Sequence, residues 1–257
     1  MNRRMRRLFS ALMPLAVFVL VQGAQGQPAL PDAPVQDFSQ PPGAEVREIA
    51  FVFEDGPLPQ TTALLLDALN KLGMKATFAV TGENVEFNPG LARRIVAEGH
   101  ELANHTYSLP NLKHVSPADL IREIRAANEA ILRVTGVKPR YFRATNGELS
   151  ESLRSVVEAE GLEVLDSTLD SGDWRNPSQE KLMRGILAGA KPGSVILAHE
   201  SFPKSAKSMP AVFEALAKRD FVLCTVSAMH PQGSHESPST TVLPSNPLPA
   251  DSGGAAN

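Results

Sequence analysis

Short apolar runs alternate with stretches of helical periodicity along the middle of this chain, and that alternation leaves few folds open. The apolar runs fall at 48–53, 76–80, 101–104, 140–143, 163–166, 194–199 and 221–226. Helical spacing of apolar residues fits 58–72, 89–98, 117–134, 150–160, 179–190 and 208–218. Pro89 and Pro117 stand where a helix start tolerates proline, and Gly73, Gly99, Gly136 and Gly161 stand where helices stop. About seven strands with helices between them predict an α/β chain built on parallel strands. Periodicity alone leaves a barrel and an open sheet equally available.

The ends of the chain read differently. Arg3, Arg4, Arg6 and Arg7 precede an apolar stretch at 8–21, and Ala24-Gln25-Gly26 offers small residues for cleavage. The apolar stretch is short for a membrane span and suits the core of an export signal, so residues 1–26 are expected to be a signal peptide. Arg6-Arg7-Leu8-Phe9 faintly resembles a twin-arginine signal. Segment 27–45 is proline-rich and reads as a linker. Segment 231–257, rich in Ser, Pro, Thr, Gly and Ala, is expected to be disordered, and His230 and His235 at this end receive no role. A domain at 46–230 lies between them, long enough for one sizeable core.

Loss of the signal would remove four arginines and leave 21 basic against 28 acidic residues, a net charge of −7. No basic stripe or nucleic-acid motif accompanies that charge, so a nucleic-acid partner is disfavoured. Cys224 is the only cysteine, which excludes an internal disulfide. It lies in the apolar run Phe221-Val222-Leu223-Cys224 and reads as a core thiol. A secreted or periplasmic location follows from the signal pattern, with no membrane span after cleavage. Oligomeric state is not legible.

Nearly every expected strand finishes in polar chemistry. The first ends in Glu54 and Asp55, directly before a Gly-Pro turn. The third gives Asn104, His105 and Thr106, the fourth Arg143, and the sixth His199 and Glu200. The fifth leads to Asp166, then Asp170, Asp173 and Trp174. Each has a bland reading: a helix cap, a surface ion pair, a hydrogen-bonded core histidine. Buried charge is costly unless it is paired or metal-bound. Acids, imidazoles and an arginine converging on the C-terminal rim of a βα sheet form the layout of a metal-assisted or acid/base hydrolase.

These residues carry a resemblance. Val52-Phe53-Glu54-Asp55-Gly56-Pro57 is similar to Thr-Phe-Asp-Asp-Gly-Pro. His105-Thr106-Tyr107-Ser108-Leu109 is similar to His-Ser/Thr-x-x-His, and Arg143-Ala144-Thr145-Asn146-Gly147 to Arg-x-Pro-Tyr-Gly. Asp170-Ser171-Gly172-Asp173-Trp174 and Leu197-Ala198-His199-Glu200 match Asp-x-x-Asp-Trp and Leu-x-His-Asp/Glu. In this order, over 46–228, they resemble the polysaccharide deacetylases with a NodB-homology domain, carbohydrate esterase family 4.

The resemblance implies a distorted (β/α) barrel of about seven parallel strands, and hydrolysis of N-acetyl groups on amino sugars of chitin-like glycans or peptidoglycan. It implies a divalent metal, zinc first, with cobalt or nickel as alternatives. By position Glu54 would be the general base, Asp55 and His105 metal ligands, and Arg143 the residue that keeps the base ionised and oriented. His199 would be the acid, with Asp173 or Asp170 as its carboxylate partner. Trp174 and Leu197 would wall the acetyl pocket, with Tyr107 and Asn146 as further substrate contacts.

Three departures bear on function. Glu54 replaces an aspartate and shifts the carboxylate oxygens by about 1 Å, a displacement that can change rates on the order of 10²-fold. Leu109 stands where the second ligating histidine belongs, and leucine cannot ligate. Catalytic zinc sites use three protein ligands, so His114, a few residues on, is a candidate substitute. Thr145-Asn146 replaces Pro-Tyr in a loop that shapes the sugar groove. Two functions follow: an exported deacetylase with a weakened or rebuilt metal site, or a catalytically impaired domain that binds glycan.

Overall fold

In the computed structural model, residues 47–229 are described. The expected signal (1–26), linker (27–45) and tail (231–257), with His230 and His235, lie outside them. Eight strands form one sheet. They are β1 (Arg47–Gly56), β2 (Thr77–Val80), β3 (Glu101–Asn104), β4 (Tyr141–Phe142), β5 (Glu163–Val164), β6 (Leu169–Asp170), β7 (Val195–His199) and β8 (Phe221–Cys224). All pairings are parallel. The order is β5-β4-β3-β2-β1-β7-β6, with β8 paired to the first half of β1. No pairing among the described residues joins β5 to β6, so the curled sheet stays open there, which is the distorted barrel expected. β6 is the strand beyond the expected seven. Its two residues are too few for a period-two signal.

The helices are α1 (Thr62–Lys71), α2 (Gly82–Phe87), α3 (Pro89–Ala97), α4 (Pro117–Thr135), α5 (Glu151–Ala159), α6 (Gln179–Gly189), α7 (Pro203–Ala217) and α8 (Val226–Met229). Pro89 and Pro117 do open α3 and α4, where a missing N–H goes unused. Ser116, Ser150 and Ser178 each accept a backbone N–H as caps of α4, α5 and α6. α7 begins five residues before the expected start at 208. Pro203 opens it and Pro210 lies inside it. The buried face made by Ala206, Met209, Val212, Phe213 and Leu216 carries the helix through that interior proline. No helix among the described residues is long and apolar enough to cross a membrane.

Strand alternation sorts the core into two chemistries. Ile49, Phe51 and Phe53 of β1 pack outward with Leu65, Phe78 and Phe213 under the helices. The Phe51 and Phe53 rings stack at 5.6 Å, and Phe213 meets Phe51 edge-on at 5.5 Å. Ala50 and Val52, between them in sequence, face inward with Ala79, Ala103, Tyr141, Leu165 and Val195. Small residues dominate that concave face because the curled sheet leaves little room there. The inward set fixes what emerges at the strand ends. One period past Val52 is Glu54, past Ala103 is His105, past Tyr141 is Arg143, and two periods past Val195 is His199.

Candidate active site

Glu54 ends the inward row of β1 and is 3 % exposed. Arg143 Nε donates to its Oε1 at 2.5 Å. His199 Nε2 lies 3.3 Å from its Oε2, and His105 Nε2 lies 3.8 Å from the same oxygen. Burial pushes such a carboxyl up. The His199 contact and the positive charge of the facing imidazoles and Arg143 outweigh it and hold Glu54 down at about 2.

Regular alternation would send Asp55 to the opposite face from Glu54. Instead the β1–β2 register slips between Glu54 and Gly56, and Asp55 takes a φ of 73°. That bulge turns both carboxylates to the same side. Aspartate tolerates this left-handed conformation better than most residues. Asp55 Oδ1 lies 3.6 Å from His105 Nε2, and Oδ2 accepts from the Ser201 hydroxyl. The Asn84 side chain donates to the Asp55 carbonyl at 2.7 Å and braces the turn. Burial raises the Asp55 carboxyl, and the His105 and Ser201 contacts bring it below its ordinary value.

His105 is 1 % exposed. Its Nδ1 lies 2.8 Å from the Arg143 carbonyl. A carbonyl only accepts, so Nδ1 carries a proton, and Nε2 is the nitrogen left to face the cleft. Nε2 points between Asp55 and Glu54, both beyond hydrogen-bond length. The ligating atoms of Glu54, Asp55 and His105 all lie within 4.8 Å of one another. A buried imidazole held through Nδ1, with its other nitrogen facing two carboxylates, is the donor set a divalent ion takes. The residues fit such an ion.

His199 faces this cluster from β7. Its Nδ1 meets Asp173 Oδ1 at 2.7 Å, and its amide donates to Asp173 Oδ2 at 2.8 Å. The Ser205 hydroxyl donates to that same oxygen at 2.7 Å. Burial pulls the imidazole down, but the Asp173 and Glu54 carboxylates raise it to about 10. Asp170 does not reach His199. Its Oδ1 accepts from the Gly172 amide and its Oδ2 from the Trp174 indole N–H, at 2.8 and 3.1 Å. Of the two candidate partners the structure therefore pairs Asp173 with His199 and gives Asp170 the task of holding Trp174.

A cleft of about 490 Å³ opens over these groups. Its walls include Leu197, Trp174, Asn146, Leu109 and Phe202. Trp174 is 47 % exposed, with the Arg175 guanidinium 4.5 Å from its ring centre. Leu109 is 37 % exposed and takes a φ of 59°, unusual for leucine.

Two expected residues lie elsewhere. His114 belongs to a 3-10 turn, Leu112–His114, in which Leu112 is buried against Leu120 and Ile124 and leaves the histidine exposed, outside the donor cluster. Tyr107 does not line the cleft. The chain turns at Thr106, with a φ of 65°, and lays the Tyr107 ring against Gly82 of α2, its hydroxyl donating to Glu86 at 2.9 Å.

Sequence reasoning missed Ser201 and Ser205, whose hydroxyls engage Asp55 and Asp173. Lone serines beyond a strand end carry no pattern that would mark them. Glu200, next along from His199, points the other way and is fully buried beneath Gly56. Burial pushes its carboxyl up to about 8, and Thr62 donates its hydroxyl to it. A Cβ on Gly56 would stand 1.8 Å from Glu200 Oε1, so any side chain there would have to displace the buried Glu200 carboxyl.

A curled βα sheet with carboxylates, imidazoles and an arginine on its C-terminal rim defines a hydrolase-like protein of the NodB-homology type. The family description "Polysaccharide deacetylase" matches residues 43–165. A chitooligosaccharide deacetylase of Bradyrhizobium sp. (strain ANU 289) is 31 % identical over 72 % of this chain and 91 % of its own. A peptidoglycan-N-acetylglucosamine deacetylase of Bacillus cereus is 35 % identical over 60 % of this chain and 56 % of its own. The solved structure of the peptidoglycan deacetylase PdaC from Bacillus subtilis superposes with a TM-score of 0.68 at 30 % identity, covering 71 % of this chain and 89 % of that one. The chain belongs to the polysaccharide deacetylase family, carbohydrate esterase family 4.

Proposed function

We propose that the chain is an exported deacetylase that hydrolyses N-acetyl groups of amino sugars, in chitin-like oligosaccharides or peptidoglycan, by metal-assisted acid/base chemistry. The observation that carries this reading is the opposition, 3.3 Å apart across one open cleft, of an Arg143-bound Glu54 and an Asp173-bound His199. One is a carboxylate held ionised, the other an imidazole held protonated. Hydrolysis of an amide needs that pair: an acceptor for the water proton and a donor for the leaving nitrogen.

Asp55 and His105 would hold a divalent ion, zinc first, with cobalt or nickel as alternatives. When bound, such an ion supplies polarisation of the acetyl carbonyl and a more acidic water. Glu54 Oε2 accepts the proton of the attacking water as its oxygen bonds to the carbonyl carbon. Arg143 keeps that carboxylate ionised and aimed. His199 Nε2–H donates to the sugar nitrogen as the C–N bond breaks, so acetate and a free amine leave together. Asp173 stabilises the imidazolium and fixes its tautomer. Trp174 and Leu197 wall the acetyl methyl, and Asn146 borders the sugar. The arginine-rich, then apolar, N-terminus supports a secreted or periplasmic setting for such substrates.

Leu109 favours a second reading, a glycan-binding domain with little or no catalysis. Incubation with N-acetylglucosamine oligomers, peptidoglycan fragments and an O-acetylated glycan separates the two. Acetate and free amine in equal amounts from either of the first two substrates support the deacetylase. Binding of the oligomers with no acetate from any substrate supports the second reading. Acetate from the O-acetylated glycan alone would overturn the N-deacetylase reading.

A further inference from the structure

Leu109 leaves the donor set one ligand short only if Glu54 is counted solely as a base. We infer that Glu54 is itself the third metal ligand of this chain, through Oε2, alongside Asp55 and His105. The inference rests on the reading of this cleft as a metal site, and not on its turning over substrate.

Three observations carry it. First, reach: Glu54 Oε2 lies 3.8 Å from His105 Nε2 and Asp55 Oδ1 lies 3.6 Å from it. A four-coordinate ion with bonds of about 2 Å keeps neighbouring ligand atoms roughly 3.3 Å apart, so a small inward movement closes both edges. Second, orientation: Arg143 takes Oε1 and leaves Oε2 between His199 Nε2 at 3.3 Å and His105 Nε2 at 3.8 Å, so a cation at the cluster would draw it from His199. Third, an open position: His105 is 1 % exposed and lines the cleft, and its Nε2, the nitrogen not held by the Arg143 carbonyl, has both carboxylates facing it beyond hydrogen-bond length. Leu109 lines the same cleft and can offer only methyl groups, while His114 lies outside the donor cluster. The glutamate is one methylene longer than an aspartate, and that methylene extends its reach toward the ion. The two departures at 54 and 109 then form a single exchange: a carboxylate extended where an imidazole was lost. A carboxylate engaged by a cation is a weaker proton acceptor, so the exchange also predicts a slow proton-accepting step.

The test is zinc affinity, measured by calorimetry on the full chain after chelation and without substrate. The variants are E54D, E54Q, L109H, E54D/L109H and E54Q/L109H. E54D keeps the charge and the Arg143 partner but withdraws the oxygen, so it also serves if E54Q fails to fold. The expected result is a loss on the order of 10–100-fold in E54D and at least as much in E54Q. L109H should abolish most of that loss, because the imidazole then fills the third position. Cobalt absorption of the unmodified chain should show the intensity of a four-coordinate site and fall in E54D. E54D and E54Q binding zinc as tightly as the unmodified chain would overturn the inference. So would a loss of equal size with and without L109H, since Glu54 would then act only through its charge. Zinc bound through Glu54 with no acetate released would spare this inference and remove the deacetylase reading. Acetate release with zinc binding indifferent to residue 54 would do the reverse.

Discussion

The two sides of the cleft are finished to different degrees. On the His199 side both ring nitrogens and both Asp173 oxygens are engaged, and Ser205 closes the network from α7. On the Asp55 side the His105 Nε2 faces the cleft with both carboxylates beyond hydrogen-bond length, and a leucine lines the same cleft. A complete network is rigid and holds its members in fixed protonation states. An incomplete one is arranged around something the protein does not supply. Under the proposed function the first half would supply the proton donor and the second would hold the cation.

The largest expected effect lies beneath the Asp55 side. Gly56→Ala puts a methyl against buried Glu200 and should destabilise the fold by about 3 kcal/mol or more, read as a fall in melting temperature. Gly73→Ala, at a left-handed φ of 64° but with nothing within 4 Å, should cost only about 1 kcal/mol. Equal effects would mean that the Glu200 side chain gives way and does not hold Gly56 in place.

Next comes the acid side itself. His199→Ala should lower acetate release by about 10²–10⁴-fold while zinc affinity stays within a few-fold. A comparable loss of zinc would merge the two halves into one network and break the comparison.

The pH dependence sharpens it. The folded pKa of His199, raised to about 10, lies above the ordinary 6.5. Its contribution to stability is therefore complete below about 6.5 and is lost as pH rises toward 10. In the chelated protein the urea midpoint should fall over that window, and Asp173→Asn should flatten the fall. An unchanged slope in Asp173→Asn would show that Glu54, not Asp173, holds the imidazolium.

The smallest effect is expected at His114. His114→Ala should leave zinc affinity and acetate release unchanged, because the 3-10 turn presents that histidine to solvent. A tenfold loss of zinc would show that the loop swings in.

The same contrast marks what the sequence made legible. Strand ends on the concave face follow from alternation, so Glu54, His105, Arg143 and His199 could be placed from the apolar residues two positions before each. Asp55 could not, since its position depends on a bulge that breaks alternation. The choice between Asp173 and Asp170 needed three dimensions, because both acids stand in one short motif and only the fold says which meets an imidazole. Tyr107 and His114 misled because chemistry near a motif was read as chemistry in the cleft. A left-handed residue at 106 and a buried Leu112 turn them away. β6 and the longer α7 were missed for opposite reasons, one element too short to show a period and the other crossed by Pro210.

The most direct test of the central claim is acetate release from an N-acetylglucosamine oligomer by the chelated chain, before and after stoichiometric zinc. The account predicts release that appears with one zinc per chain, disappears with chelator, and is accompanied by an equal amount of free amine. Zinc bound tightly with no acetate, or acetate released equally with and without metal, would contradict it.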